Sequence, residues 1–371
     1  MLGSGLALVA VLHAPGHARG YPRMYLEAGS PCVTCHVSPQ GGGTRNSLGW
    51  YTASHTGAFN WKGMPDSSAF AGGTMWSSGD FRVQMARVGR PTEQKPLPDQ
   101  KFFPMQTQVN IAVAPRDWLT FIGGINAISF DDQYRYPGQA PGEVAVQINP
   151  KASLPTLRVG LVQPSIGIRP EDHTILLRAN AANPRTPFIP PNYVEPGAEL
   201  SYHPVSWVQA EAGVFASHYL SQTVTNLGGS VAWLLRLMFL PQVLDWGLHS
   251  WVGASAYGSG DFLMVNGFLG VGFKGKVSLQ AELAETQWEA TKKSRAFALT
   301  LGVSPWPWLH VMGRIEQAIA AITDKEVQTW QAVAGIQLTP LPFLEIRPEY
   351  RYLVTDSYKL GYYALQLYAY Y

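Results

Sequence analysis

From Leu344 to Tyr352 the chain alternates without a break: Leu344, Ile346, Pro348, Tyr350 and Tyr352 are apolar, and Glu345, Arg347, Glu349 and Arg351 between them are charged. Successive side chains of a strand point to opposite faces, so this segment has one apolar face and one ionic face. The same period returns along the chain. Phe81, Val83 and Met85 alternate with Asp80, Arg82 and Gln84, and Met105, Thr107, Val109, Ile111 and Val113 with Gln106, Gln108 and Asn110. Val208, Ala210, Ala212 and Val214 alternate with Gln209 and Glu211, and Val277, Leu279, Ala281 and Leu283 with Ser278, Gln280 and Glu282. Charged residues make up only 14%, while Gly (37), Trp (12) and Tyr (17) are plentiful, a mixture that favours strands, tight turns and aromatic edges. Mean hydropathy is close to zero and no run of about eighteen apolar residues occurs, which excludes a helical membrane protein but not a membrane barrel.

The strands are joined by a recurring connection in which a proline turn is followed by an aromatic residue. Examples are Ala114-Pro115-Arg116-Asp117-Trp118, His203-Pro204-Val205-Ser206-Trp207, Ser304-Pro305-Trp306-Pro307-Trp308 and Thr339-Pro340-Leu341-Pro342-Phe343. Proline ends the ladder, and an aromatic residue suits a membrane–water boundary. The other connections, such as Asp131 to Gly142 and Glu285 to Ser294, are longer and more polar. A soluble sandwich shares the one-faced alternation, but its strands run about 5 to 6 residues, against the roughly 9 to 11 read here. The expectation is an all-β fold: a transmembrane antiparallel β-barrel over residues 77–371, with about 14 to 16 strands and an even count. The last strand, Tyr358 to Tyr371, places Tyr363, Leu365, Leu367, Ala369 and Tyr371 on one face, and resembles the C-terminal assembly signal of bacterial outer-membrane proteins. Arg82, Glu211, Glu282, Glu345, Arg347, Glu349 and Arg351 are expected to face the lumen. Ala179 to Pro196, rich in Asn and Pro, reads equally as a loop that folds into the lumen or over its mouth and as a loop out in solvent.

Both cysteines of the chain fall in one pentapeptide, Cys32-Val33-Thr34-Cys35-His36. This is the attachment pattern of a c-type haem: two thiols add across the two vinyl groups of the porphyrin, and the adjacent imidazole binds the iron. A redox disulfide leaves the histidine without a reason, and no thioredoxin-like βαβ pattern surrounds the motif. A zinc site needs a second Cys or His pair at finger or ribbon spacing, which does not follow. Residues 1–20, with an apolar run from Leu2 to Leu12 and small residues at Ala14 and Ala18, read as an export signal, although no Lys or Arg precedes the run.

Residues 21–76 then form a small haem c plug, too short to bury a secure core alone, so the barrel lumen is expected to supply walls for it. Gly41-Gly42-Gly43 is expected to let the backbone pass close to the porphyrin; Arg45 and Asn46 could pair with its propionates, but a solvated Arg45 is the preferred reading. For a sixth ligand His55 is preferred, ahead of Met64 and Met75, with Met24 also in the plug. The formal net charge of +2, without a basic cluster, excludes nucleic acid as a partner.

In order, an export signal, "PCVTCH", a short plug and a barrel ending in "YYALQLYAYY" resemble the outer-membrane fusions of a monohaem c-type cytochrome to a porin, known from iron-oxidising bacteria. The resemblance implies thioether bonds at Cys32 and Cys35 to one haem c, and His36 as axial ligand. It implies electron transfer across the bacterial outer membrane between an extracellular redox partner, Fe(II) among the candidates, and a periplasmic c-type cytochrome. The iron-oxidising members carry a Phe-Ala-Arg-rich stretch before the haem, where this chain reads "YPRMYLEAGS". The alternative is a diffusion porin whose haem plug gates or stabilises the pore. A haem enzyme needs an open iron site beside an acid or base, and nothing in the sequence marks such a pair.

Overall fold

The computed structural model describes residues 22–39, 41–59, 69–87, 91–127, 142–151, 153–169, 172, 174–178, 189–190, 193–223, 230–288, 292–321 and 326–371. The export signal, Met64 and most of the Asn- and Pro-rich segment lie outside them.

The chain begins with two short helices, α1 (Pro22–Ala28) and α2 (Ser47–Ser54), and a two-residue strand, β1 (Ala69–Phe70). Eight strands follow: β2 (Met75–Arg87), β3 (Gln100–Arg116), β4 (Leu119–Asn126), β5 (Gly142–Ile148), β6 (Thr156–Val162), β7 (Glu195–Val205), β8 (Val208–Phe215) and β9 (Ala232–Phe239). After the short β10 (Gln242–Val243) come eight more: β11 (Leu248–Ser259), β12 (Phe262–Phe273), β13 (Val277–Trp288), β14 (Lys292–Trp306), β15 (Leu309–Ala321), β16 (Glu326–Leu341), β17 (Leu344–Thr355) and β18 (Lys359–Tyr370). Each long strand pairs antiparallel with the next, β9 passing directly to β11. The last strand pairs with the first, Tyr370 opposite Asp80 and Leu365 opposite Met85, so sixteen strands close into a barrel with no free edge.

Burial follows the period-2 reading. Along β12 buried and exposed residues alternate from end to end. Tyr350, Tyr352, Leu263, Leu269 and Tyr363 stand outward, and the seven expected lumen charges are all buried. Among the described residues no helix is long and apolar enough to cross a membrane; the strands form the crossing wall.

The lumen differs from the uniformly polar interior that the alternation implies. It is ionic on the β14–β17 side, but Tyr257, Phe262, Met264 and Trp288 also point inward, where they join Ile175, Leu177 and Tyr193 in a buried apolar cluster. Strands apolar on both faces give no alternating signal, because one face meets lipid and the other meets a packed interior.

Two- and three-residue turns join β3 to β4, β7 to β8, β12 to β13, β14 to β15 and β16 to β17 on one rim, where β2 begins and β18 ends. By the rule that short turns are periplasmic, this is the periplasmic rim. The helical plug occupies the lumen at this end. α1 packs against β11, β12 and β13, with Arg23 Nη2 donating to Gln337 Oε1 at 2.6 Å and the Tyr25 hydroxyl to the Leu240 carbonyl at 3.1 Å. α2 sets Trp50 against Phe343, 4.5 Å between ring centres. From the opposite rim, described residues between 163 and 178 descend into the barrel: Gly167 N–H donates to Ser255 Oγ at 2.9 Å, and Asp172 pairs with Arg314 and Arg351 at 2.6 and 2.8 Å.

The aromatic residues after the proline turns divide. Trp118, Trp207 and Trp306 are exposed at the rim, as a membrane boundary requires. Phe343 instead turns inward to 8% exposure and holds Trp50. Its backbone takes φ +64°, a conformation rare for a bulky residue, which the packing against α2 maintains.

Candidate haem attachment site

The pentapeptide folds locally. Pro31 holds an extended conformation, and the chain then makes one tight turn in which Cys35 and His36 N–H both donate to the Cys32 carbonyl at 3.1 and 3.0 Å. Three reactive side chains thereby share a single turn. The chain next doubles back, with Val37 N–H donating to the Thr44 carbonyl at 3.0 Å and His36 bridged to Arg45. The reversal uses Gly41, Gly42 and Gly43 at φ +77°, +70° and +58°, three successive left-handed residues that only glycine adopts without strain.

This reversal brings the Gly42 carbonyl to His36 Nδ1 at 3.1 Å. A carbonyl only accepts, so Nδ1 carries the proton and Nε2 keeps its lone pair. His36 is 3% exposed, and its Nε2 has no hydrogen-bond partner among the described residues. Burial first, then the Arg45 and Arg169 charges, lowers the imidazole pKa to about 3, so the ring is neutral at physiological pH. A neutral imidazole whose Nδ1–H is held by a backbone carbonyl and whose Nε2 is free is the form that binds a metal. Both cysteines are free thiols. Burial raises both pKa values, that of Cys35 to about 11 with a further push from Cys32. The donor set, two reduced thiols and an unpartnered buried nitrogen, fits a c-type haem.

α2 rests directly on the motif. Asn46 N–H donates to the Cys35 carbonyl at 3.1 Å, and its side chain donates to the Thr34 carbonyl at 3.0 Å while accepting from Gly49 N–H at 3.0 Å as the helix cap. Asn46 thereby caps α2 and ties it to the attachment turn. A Cβ on Gly49 would lie 2.0 Å from the Cys35 carbonyl oxygen, which explains glycine inside a helix. Arg45 stacks over Tyr370 at 4.8 Å and donates to the Tyr371 carbonyl at 3.4 Å.

His55 ends α2 on the exposed side, with Nδ1 2.7 Å from the Tyr51 carbonyl. Met75 opens β2 on the outward-facing parity, and Met24 is buried on α1. The glycine run has a further reason that sequence reasoning missed. Arg169, from the descending segment, donates to the Gly41 carbonyl at 2.8 Å, and its guanidinium fills the space a Gly42 Cβ would take. Arg158 of β6, paired with Glu199 at 2.8 Å, donates to Ser38 Oγ at 3.1 Å. The haem-motif loop is thus held from the wall and from the opposite rim. Arg169 carries no local signal, whereas Arg158 stands between Leu157 and Val159 in an alternating strand and was legible as lumenal.

Solved outer-membrane proteins share this architecture. A loop-deletion mutant of OmpT from Vibrio cholerae matches 80% of this chain and 99% of its own, with TM-score 0.53 and 11% identity. OprB from Pseudomonas putida matches 80% and 94%, with TM-score 0.52 and 9% identity. The fold is that of an outer-membrane porin. The barrel accordingly sits in the bacterial outer membrane, its apolar face against lipid. At such identities the likeness reaches the fold alone. No protein-family model matches the chain, and no curated protein matches its sequence.

Proposed function

We propose that this barrel carries one haem c, bonded through Cys32 and Cys35 with His36 Nε2 on the iron, and passes electrons between an extracellular redox partner such as Fe(II) and a periplasmic c-type cytochrome. The observation that carries the reading is His36: a buried Nε2 without a hydrogen-bond partner among the described residues, the opposite nitrogen fixed by Gly42, in one turn with two free thiols. A haem so bound supplies one-electron ferrous–ferric chemistry, with its potential set by ligation, burial and hydrogen bonding. The chain's own residues hold the attachment turn in place. Asn46 and Gly49 seat α2 on it, Gly42 orients the imidazole, and Arg158 and Arg169 tie the loop to the barrel. The position of the plug near the short-turn rim supports a periplasmic protein as the inner partner.

The test is protein extracted from membranes of cells that carry out c-type haem maturation. Its denatured chain is expected to carry the mass of one haem and to show reduced c-type absorption bands. Substituting Cys35→Ser should weaken attachment and His36→Ala should abolish the native spectrum. Wild-type protein with no covalent haem overturns the reading. The porin fold favours the second reading, a diffusion pore gated or stabilised by the plug. Against it stands a lumen filled, among the described residues, from both rims. Planar-bilayer recordings separate the two: large open currents indifferent to haem reduction favour the pore.

A further inference from the structure

A cavity, open in part to solvent, lies where plug, descending segment and barrel wall meet. Cys32 lines it from the plug, and Gln209, Arg236 and Met238 line it from β8 and β9. Ile166 and Tyr193 add apolar wall, and Arg169 stands with Arg236 as a cation at its edge. Apolar surface for a macrocycle, cations for its carboxylates and a cysteine of the attachment motif therefore converge in one space.

Resting on the haem reading above, we propose that Met238 Sδ is the second axial ligand of the iron. Electron-transfer haems of the c type take a methionine thioether or an imidazole in that position. Of the residues lining this cavity, Met238 alone has such a side chain. Along β9 the even-numbered residues, Ala232, Leu234, Arg236 and Met238, face the lumen, so the thioether is presented inward by a strand paired on both sides. Its sulfur accepts a hydrogen bond from Arg236 Nη2 at 3.4 Å, a weak contact that iron ligation displaces.

The other candidates are placed less well. His55 is exposed and Met75 lies on the outward parity. Met312 Sδ accepts from Arg347 Nη2 at 3.2 Å and lines a separate cavity that Cys32 does not reach. Ligation by Met238 differs from the preference for His55 in a way with a structural consequence: the iron would join the plug to the barrel wall by a bond.

Wild type, Met238→Ala, Met238→His and Met312→Ala are compared as full-length protein in detergent, each first assayed for covalent haem by mass of the denatured chain. Wild type and Met312→Ala are expected to show the ferric methionine–iron charge-transfer band at the red end of the spectrum. Met238→Ala is expected to keep its covalent haem and lose the band, and Met238→His to replace it with a bis-histidine spectrum and a lower midpoint potential. The band surviving in haem-loaded Met238→Ala, or a bis-histidine spectrum in wild type, overturns the ligand assignment while leaving the haem reading intact. Wild type without covalent haem overturns both.

Discussion

At the scale of single residues the attachment turn depends on groups with no redox chemistry of their own. Gly49 is required because any Cβ there meets the Cys35 carbonyl. Gly49→Ala is therefore expected to displace the turn and reduce covalent haem loading, read as haem per chain by denatured mass, with the barrel still folded. Phe343 adopts φ +64° in order to pack on Trp50. Phe343→Ala removes a buried aromatic from that contact and should loosen the plug by about 3 to 5 kcal/mol, seen as faster proteolysis of residues 22–59 in intact protein. Cys32, Cys35 and His36 were legible as a set, because a five-residue spacing is local chemistry. Arg158, Arg169 and Met238 were not legible as neighbours of that set, because only the closing of the barrel brings them to it.

At the scale of elements, the descending segment is held by wall carboxylates, Glu199 at Ser165, Glu282 at Ile168 and Arg178, and Glu316 at Leu176, and by its own Asp172. Asp172 is 3% exposed and pairs with Arg314 and Arg351. Burial alone would raise its pKa, but Arg351, Arg314 and Arg347 together hold it well below the usual carboxylate range. A depressed folded-state pKa contributes stability that is complete above the unfolded value and is lost as pH falls toward the folded one. The segment is thus expected to stay docked from neutral pH to about pH 4 and to loosen below it, by at most about 1.4 kcal/mol per pH unit. Asp172→Asn removes one of the carboxylate partners of Arg314 and Arg351, which keep Glu316 and Glu349, and should weaken docking of the segment and raise bilayer conductance at neutral pH. A variant with unchanged conductance would show that other contacts hold the segment.

At the scale of the whole molecule, the barrel sits between lipid and a filled interior. Leu269 is 45% exposed near the middle of β12. Leu269→Arg is expected to cost about 2 to 4 kcal/mol in denaturant unfolding from lipid vesicles, whereas a lumen-facing substitution lacks this depth dependence. The alternation of apolar and polar residues by itself determined the fold class, the outward face and the lumen charges. It did so because a membrane wall imposes a period of two on each strand independently of its neighbours. The pentapeptide likewise placed two thiols and an imidazole in one turn through local spacing. What only the tertiary structure decided was the content of the lumen: the inward turn of Phe343, the apolar cluster around Tyr257, Phe262, Met264 and Trp288, and the meeting of Arg169 with Gly41. These contacts join residues far apart in the chain, Tyr193 and Tyr257 by 64 positions and Arg169 and Gly41 by 128, and no local period records which strands a closed sheet will place across a lumen from each other.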